Sequence, residues 1–177
     1  MRLSGPIPIL ALLLASCATP KPATPLVPPE SVSAAVLEGL CGRLRMDAIA
    51  STAPLAIVSE TRPLATQQSM SALAMTARGR VKGNRIAASA IEANRTLPVD
   101  VQSGQCTWRA IAPAQLARHR DELMVELSAP AINPFAPKEA GLFARVTVGG
   151  EGASWYWISL RPYGDQWAVG GVSVLVQ

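Results

Sequence analysis

Histidine is nearly absent from this 177-residue chain, with His119 its single copy. An imidazole-built zinc centre needs several His or Cys ligands, so no metal site is expected. His119 lies in Arg118-His119-Arg120-Asp121-Glu122, a charged run that reads as solvent-facing. A catalytic triad would need a nucleophile and an orienting acid around it, and nothing in the run supplies them. Charge is sparse as well: Asp, Glu, Lys and Arg make up 16% of the residues, and no Lys/Arg block is dense enough to argue for nucleic acid. Several signatures of catalysis are missing. There is no Gly-x-Ser-x-Gly elbow, no Ser-x-x-Lys pair, no His-Glu-x-x-His and no phosphate-binding loop. The carboxylates Asp47, Glu60, Glu92, Asp100, Glu126 and Asp165 are scattered, so no pair of them stands out for acid–base work. Neither enzymatic activity nor a cofactor is expected.

A long apolar run is also lacking. Ile7, Ile9, Leu10, Leu12, Leu13 and Leu14 form a short apolar stretch interrupted at its start by Pro6 and Pro8. It falls well short of the ~20 residues that span a bilayer. With Arg2 before it and the small residues Ala15 and Ser16 after it, the segment has the order of a secretory signal. Cysteine is scarce too, at three copies, and the first closes this segment. Leu14-Ala15-Ser16-Cys17 resembles the lipobox of bacterial lipoproteins.

That resemblance implies that residues 1–16 are removed as a signal peptide and that the thiol of Cys17 takes a diacylglycerol. The new amino terminus would take a further acyl chain such as palmitate. Several chains anchor stably, because each buried methylene contributes roughly 0.8 kcal/mol. Ala18 follows where an Asp would imply retention in the inner membrane, so the outer membrane is expected, with the domain facing the periplasm. The inner membrane and the cell surface are the alternatives. Cleavage leaves 161 residues (177 − 16), and losing Arg2 takes the formal charge from +4 to about +3. With Cys17 lipidated, Cys41 and Cys106 remain, and an oxidising periplasm favours their pairing as a disulfide.

Three regions follow: residues 1–16 as signal, 17–30 as lipidated cysteine and tether, and 31–177 as one domain. Pro20, Pro22, Pro25, Pro28 and Pro29 give the tether an extended polyproline character. Ser31 is placed to cap a helix whose apolar stripe is Val32, Val36, Leu37, Leu40, Leu44 and Ile49, with Pro54 ending it. Leu55–Val58 reads as a strand, and Met70–Ala77 and Ile86–Ala93 as helical pieces that are equally readable as strands. Gln105–Ile111 alternates as a strand. A helical turn is expected over Pro113–Arg120, and Leu123–Ser128 reads as a half-buried strand.

Leu142–Val148, Ser154–Arg161 and Trp167–Val176 read as three hairpin-connected strands. Trp167 and Val169 have one parity and Val172, Val174 and Val176 the other, with Gly170-Gly171 between. A bulge at the glycines would return both sets to one face. The expected class is α+β: an N-terminal helix on a curved antiparallel sheet ending in a β-meander, with a β-sandwich as the alternative. This element order, with Trp155-Tyr156-Trp157, a turn and Trp167-Ala168-Val169, resembles the cystatin-like or NTF2-like class. The resemblance implies a cone-shaped pocket between helix and sheet for a small ligand, and in some members weak enzymatic activity.

Two features are candidate binding surfaces. Trp155, Tyr156, Trp157 and Trp167 would offer large apolar area with a polar edge, although the same rings serve equally as core. Arg80, Lys82 and Arg85, flanked by Arg78 and Arg95, would meet an acidic surface or act as solvated charge. The leading expectation is a non-enzymatic binding or envelope-assembly module with a membrane anchor and an envelope protein partner. A small-ligand pocket protein of the NTF2-like kind is the alternative.

Overall fold

Val36, Leu37, Leu40, Cys41 and Leu44 recur at helical spacing, and they form the buried stripe of a helix, α1, over Ala34–Met46. The computed structural model that contains it describes residues 32–49, 54–64, 95–101, 106–133, 136–164 and 166–176. The lipobox with Cys17, the tether, Ser31, the middle pieces over 70–93 and the basic residues Arg80, Lys82 and Arg85 lie outside the described residues. Ser33 takes the N-cap place of α1, without a side-chain capping bond.

Pro54 does not end this helix. Ile49 N–H donates to the Leu44 carbonyl at 2.9 Å and Ala48 N–H to the Arg45 carbonyl at 3.1 Å. Ala48 between them has φ 57°. Two such bonds around a left-handed residue are the Schellman arrangement, and Ile49 folds back onto the core as that motif requires. Alanine lacks glycine's freedom there, at a cost of roughly 1 kcal/mol. Asp47, at the helix end with the unfavourable sign for the helix dipole, is held by Arg43 at 2.9 Å and accepts a bond from the buried Tyr156 hydroxyl at 3.1 Å.

Among the described residues seven strands follow: β1 (Leu55–Val58), β2 (Trp108–Ile111), β3 (Met124–Leu127), β4 (Ala131–Asn133), β5 (Ala136–Val148), β6 (Glu151–Tyr163) and β7 (Gln166–Val176). A short 3-10 helix over Pro113–Arg118 joins β2 to β3. The strands make one sheet in the order β2-β1-β3-β5-β6-β7, with β4 pairing β5 beside β3. The fold is thus α+β, a helix packed on a curved sheet that ends in an antiparallel meander, as expected. The sheet is mixed rather than wholly antiparallel, because β1 runs parallel to both β2 and β3. Parallel neighbours need long connections, and those between β1, β2 and β3 are the long ones in this chain.

The meander matches its residues closely. Gly149 and Gly150, at φ 59° and 72°, stand between the paired Val148 and Glu151. A two-residue loop with positive φ at both positions is the hairpin turn whose twist suits its strands. On β7 the register shifts at the expected glycines: Ser159 pairs with Gly171 but Leu160 with Val169, leaving Gly170 as the extra residue. Trp167, Val169, Val172 and Val174 consequently pack on the same core. Val176 does not join them. A second shift pairs Trp155 with Val176 and Tyr156 with Val174, which leaves Val176 exposed.

Period-two alternation gives the sheet two faces. Leu55, Ile57, Val125, Leu127, Leu142, Ala144, Val146, Tyr156, Ile158 and Leu160 face α1 in the main core. Cys41 of the helix is joined to Cys106 by a disulfide, Cα–Cα 6.0 Å, so α1 is tied to the chain two residues before β2. Gly39 permits the closest approach, since a methyl there would meet Val169 Cγ1 at 3.1 Å. Behind the sheet, Ala56, Val58, Ile111 and Met124 form a smaller cluster with Leu116.

Candidate functional site

Glu126 belongs to β3, which was expected to be half-buried, yet all four β3 residues are buried. A carboxylate on a buried strand face requires partners, and two distant arginines provide them. Arg145 is the cross-strand partner of Glu126 on β5, and its Nη1 donates to Glu126 Oε2 at 3.1 Å. Arg62 lies on the segment after β1, where its backbone N–H donates to the Leu127 carbonyl at 2.7 Å. From there its Nη1 reaches Glu126 Oε1 at 3.3 Å. Glu126 is 4% exposed, whereas the arginine side chains are about two-fifths exposed and keep most of their donors.

The row continues. Trp155 on β6 is the direct partner of Arg145, so Glu126, Arg145 and Trp155 stand side by side across three strands on the face away from α1. They lie in an open groove of about 680 Å³ whose walls include Arg62, Pro63, Leu64, Arg120, Gly150, Gly152 and Ala153. Thr147, two residues along β5 from Arg145, lines the groove too. Its Oγ1 is buried and has no hydrogen-bond partner among the described residues. Among the described residues of the lining, three arginines stand against one glutamate. Such an arrangement can bind an anion, and among the described residues there is no cluster of metal-binding side chains.

The aromatic residues singled out in the sequence are not brought together. Trp155 alone lines the groove. Tyr156 points to the helix side, fully buried, with its hydroxyl on Asp47. Trp157 shares the face of Trp155 but is used in packing: it stacks edge-on against Phe143 at 4.8 Å between ring centres and covers Gly141. A methyl on Gly141 would come within 2.2 Å of the Trp157 ring, so glycine is what admits the indole. Trp167 is half-buried on the helix side with its Nε1 unpartnered among the described residues.

His119 hydrogen-bonds Glu122 at 2.9 Å, and Arg109 pairs with the same carboxylate, a surface cluster outside the groove. Arg62, Thr147 and the partnership of Glu126 with Arg145 escaped the sequence reading. The parity of Arg145 within an apolar strand was their one visible signal. No helix among the described residues is long and apolar enough to cross a membrane. No family model, curated protein or solved structure matches this chain.

Proposed function

We propose that this chain is a bacterial lipoprotein, anchored through Cys17 in the outer membrane and facing the periplasm, whose domain is a non-enzymatic binding module. The observation that carries the binding role is the location of the accessible space. Among the described residues, the layer between α1 and the sheet is packed by Leu37, Leu40, Leu44, Tyr156 and Ile158, all fully buried. The open groove lies on the opposite face, where arginines and the Trp155 side chain are presented together. The Cys41–Cys106 disulfide supports export, since such bonds persist in oxidising compartments. Leu14-Ala15-Ser16-Cys17 supports the anchor.

Two measurements test the reading. Cells fed an alkyne-tagged palmitate should label the protein, and Cys17→Ala should abolish the label and release the chain from the membrane fraction. A photo-crosslinking residue at Ala153, on the groove rim, should yield a discrete adduct in intact envelopes. The same residue at Glu38, exposed on the helix, should not. Persistent label in Cys17→Ala would end the anchor, and equal crosslinking at both positions would end the assignment of the groove.

A further inference from the structure

We propose that the groove binds a carboxylated sugar, one unit of an acidic glycan, with its carboxylate on Arg62 and Arg145 and its ring against Trp155. The proposal rests on the reading of the domain as a binding module and is independent of the lipid anchor.

Charge comes first. Glu126 occupies only Nη1 of each arginine, and a guanidinium carries five N–H donors. The remaining donors stand at an open groove whose described lining carries three arginines and one glutamate. A planar carboxylate accepts two parallel bonds from such a fork, and Glu126 from below holds both forks in place. Arg62 and Arg145 are thereby preorganised, which lowers the ordering cost of binding.

Shape and polarity select the rest of the ligand. Trp155 stands directly beside Arg145 in the ladder and offers a flat apolar surface with a polar edge. The C–H face of a pyranose has the size and rigidity to lie on an indole. The Thr147 hydroxyl, two residues along β5 from Arg145, is buried in the groove lining without a partner among the described residues, and it can both donate and accept, as a sugar hydroxyl can. Inorganic phosphate would satisfy the arginines and leave Trp155 unused. A neutral sugar would use Trp155 and leave the guanidinium donors unmet. An acidic peptide supplies carboxylates but no ring of hydroxyls for Thr147. The groove volume falls within the roughly 300–1,000 Å³ usual for small-molecule sites.

Calorimetric titration of the whole chain in detergent micelles tests this, with trigalacturonate, maltotriose, inorganic phosphate and a triglutamate peptide as separate probes. Trigalacturonate is expected to saturate the protein with a Kd at least tenfold below those of the other three. Loss of a charge-assisted bond weakens binding by about tenfold or more, so Arg145→Gln and Arg62→Gln should each show that loss. Trp155→Ala should do the same, and Thr147→Val should weaken binding several-fold. An intact disulfide and an unchanged circular dichroism spectrum establish that each variant is folded, and four variants keep the test decisive if one is not.

Absence of trigalacturonate binding, equal binding of phosphate or triglutamate, or unchanged affinity in folded Arg145→Gln would each overturn the proposal. A crosslink from Ala153 to an envelope component, found without any trigalacturonate binding, would end this proposal and leave the module reading standing. Loss of both would end both.

Discussion

At Glu126 the two halves of an ion pair are unequally buried, and that inequality decides what each substitution costs. Arg62 and Arg145 are about two-fifths exposed and can turn to water if the carboxylate is removed. Glu126 is 5% exposed at its side chain and has no such escape. Glu126→Gln is therefore expected to cost about 1–2 kcal/mol, the loss of one charge-assisted bond, since the amide still accepts from one arginine. The double variant Arg62→Gln, Arg145→Gln strands a buried carboxylate and is expected to cost about 3 kcal/mol or more. Urea unfolding of the two variants measures the difference. Equal costs would mean that Glu126 is better solvated than its burial implies. The pair itself was hidden in the sequence, because Arg62, Glu126 and Arg145 are separated by 64 and 19 positions and meet only through the sheet (126 − 62 and 145 − 126).

Among the elements, β7 shows how one residue changes a strand's meaning. Gly170 is unpaired in the ladder while Val169 and Gly171 pair with consecutive residues of β6. Deleting Gly170 should leave a continuous ladder with Val172 and Val174 still against the core. Deleting Gly170 and Gly171 together shifts the parity once more and turns both valines to the open face. The single deletion should be tolerated, and the double deletion should lose about 2 kcal/mol or more of burial. Thermal melts of both variants decide it, and an equally stable double deletion would show that register is set elsewhere. This bulge was legible because the apolar parity breaks at a glycine pair, where one extra residue restores a single apolar face. β3 misled for the complementary reason: a period of two cannot say whether the second face is covered, and here Arg62 and Arg145 cover it. The end of α1 was equally hidden, since an alanine in the left-handed region carries no compositional sign.

The disulfide bears on the molecule as a whole. It joins α1 to the chain two residues before β2 across 65 positions, and β1 lies inside that loop. Closing a loop of this length removes unfolded-state entropy worth roughly 4 kcal/mol in the chain-entropy account. The double variant Cys41→Ser, Cys106→Ser should therefore lose a large part of the stability of a domain this size, typically about 5–15 kcal/mol. Denaturant unfolding with and without reductant checks this, and a midpoint unmoved by reduction would show that the core alone holds the helix. Cys41 is fully buried beside Leu40 and Leu44, so the serine also places a hydroxyl in an apolar layer. Alanine at both positions separates that effect from loss of the crosslink.

Composition and periodicity by themselves determined the helix stripe, the three meander strands and the β7 bulge, whereas the Cys41–Cys106 pairing was expected only once the lipobox resemblance had set Cys17 aside. The stripe, the strands and the bulge follow from local alternation and glycine placement, which are properties of near neighbours. The tertiary structure decided which face of the sheet would be covered and which left open. It placed Arg62 and Arg145 over Glu126, set Trp155 apart from Tyr156, Trp157 and Trp167, and left Thr147 without a partner among the described residues of the groove. A site assembled from three strands and the segment after β1 depends on register between segments far apart in the chain. Register of that kind has no local signature, so only the folded sheet brings the groove into being.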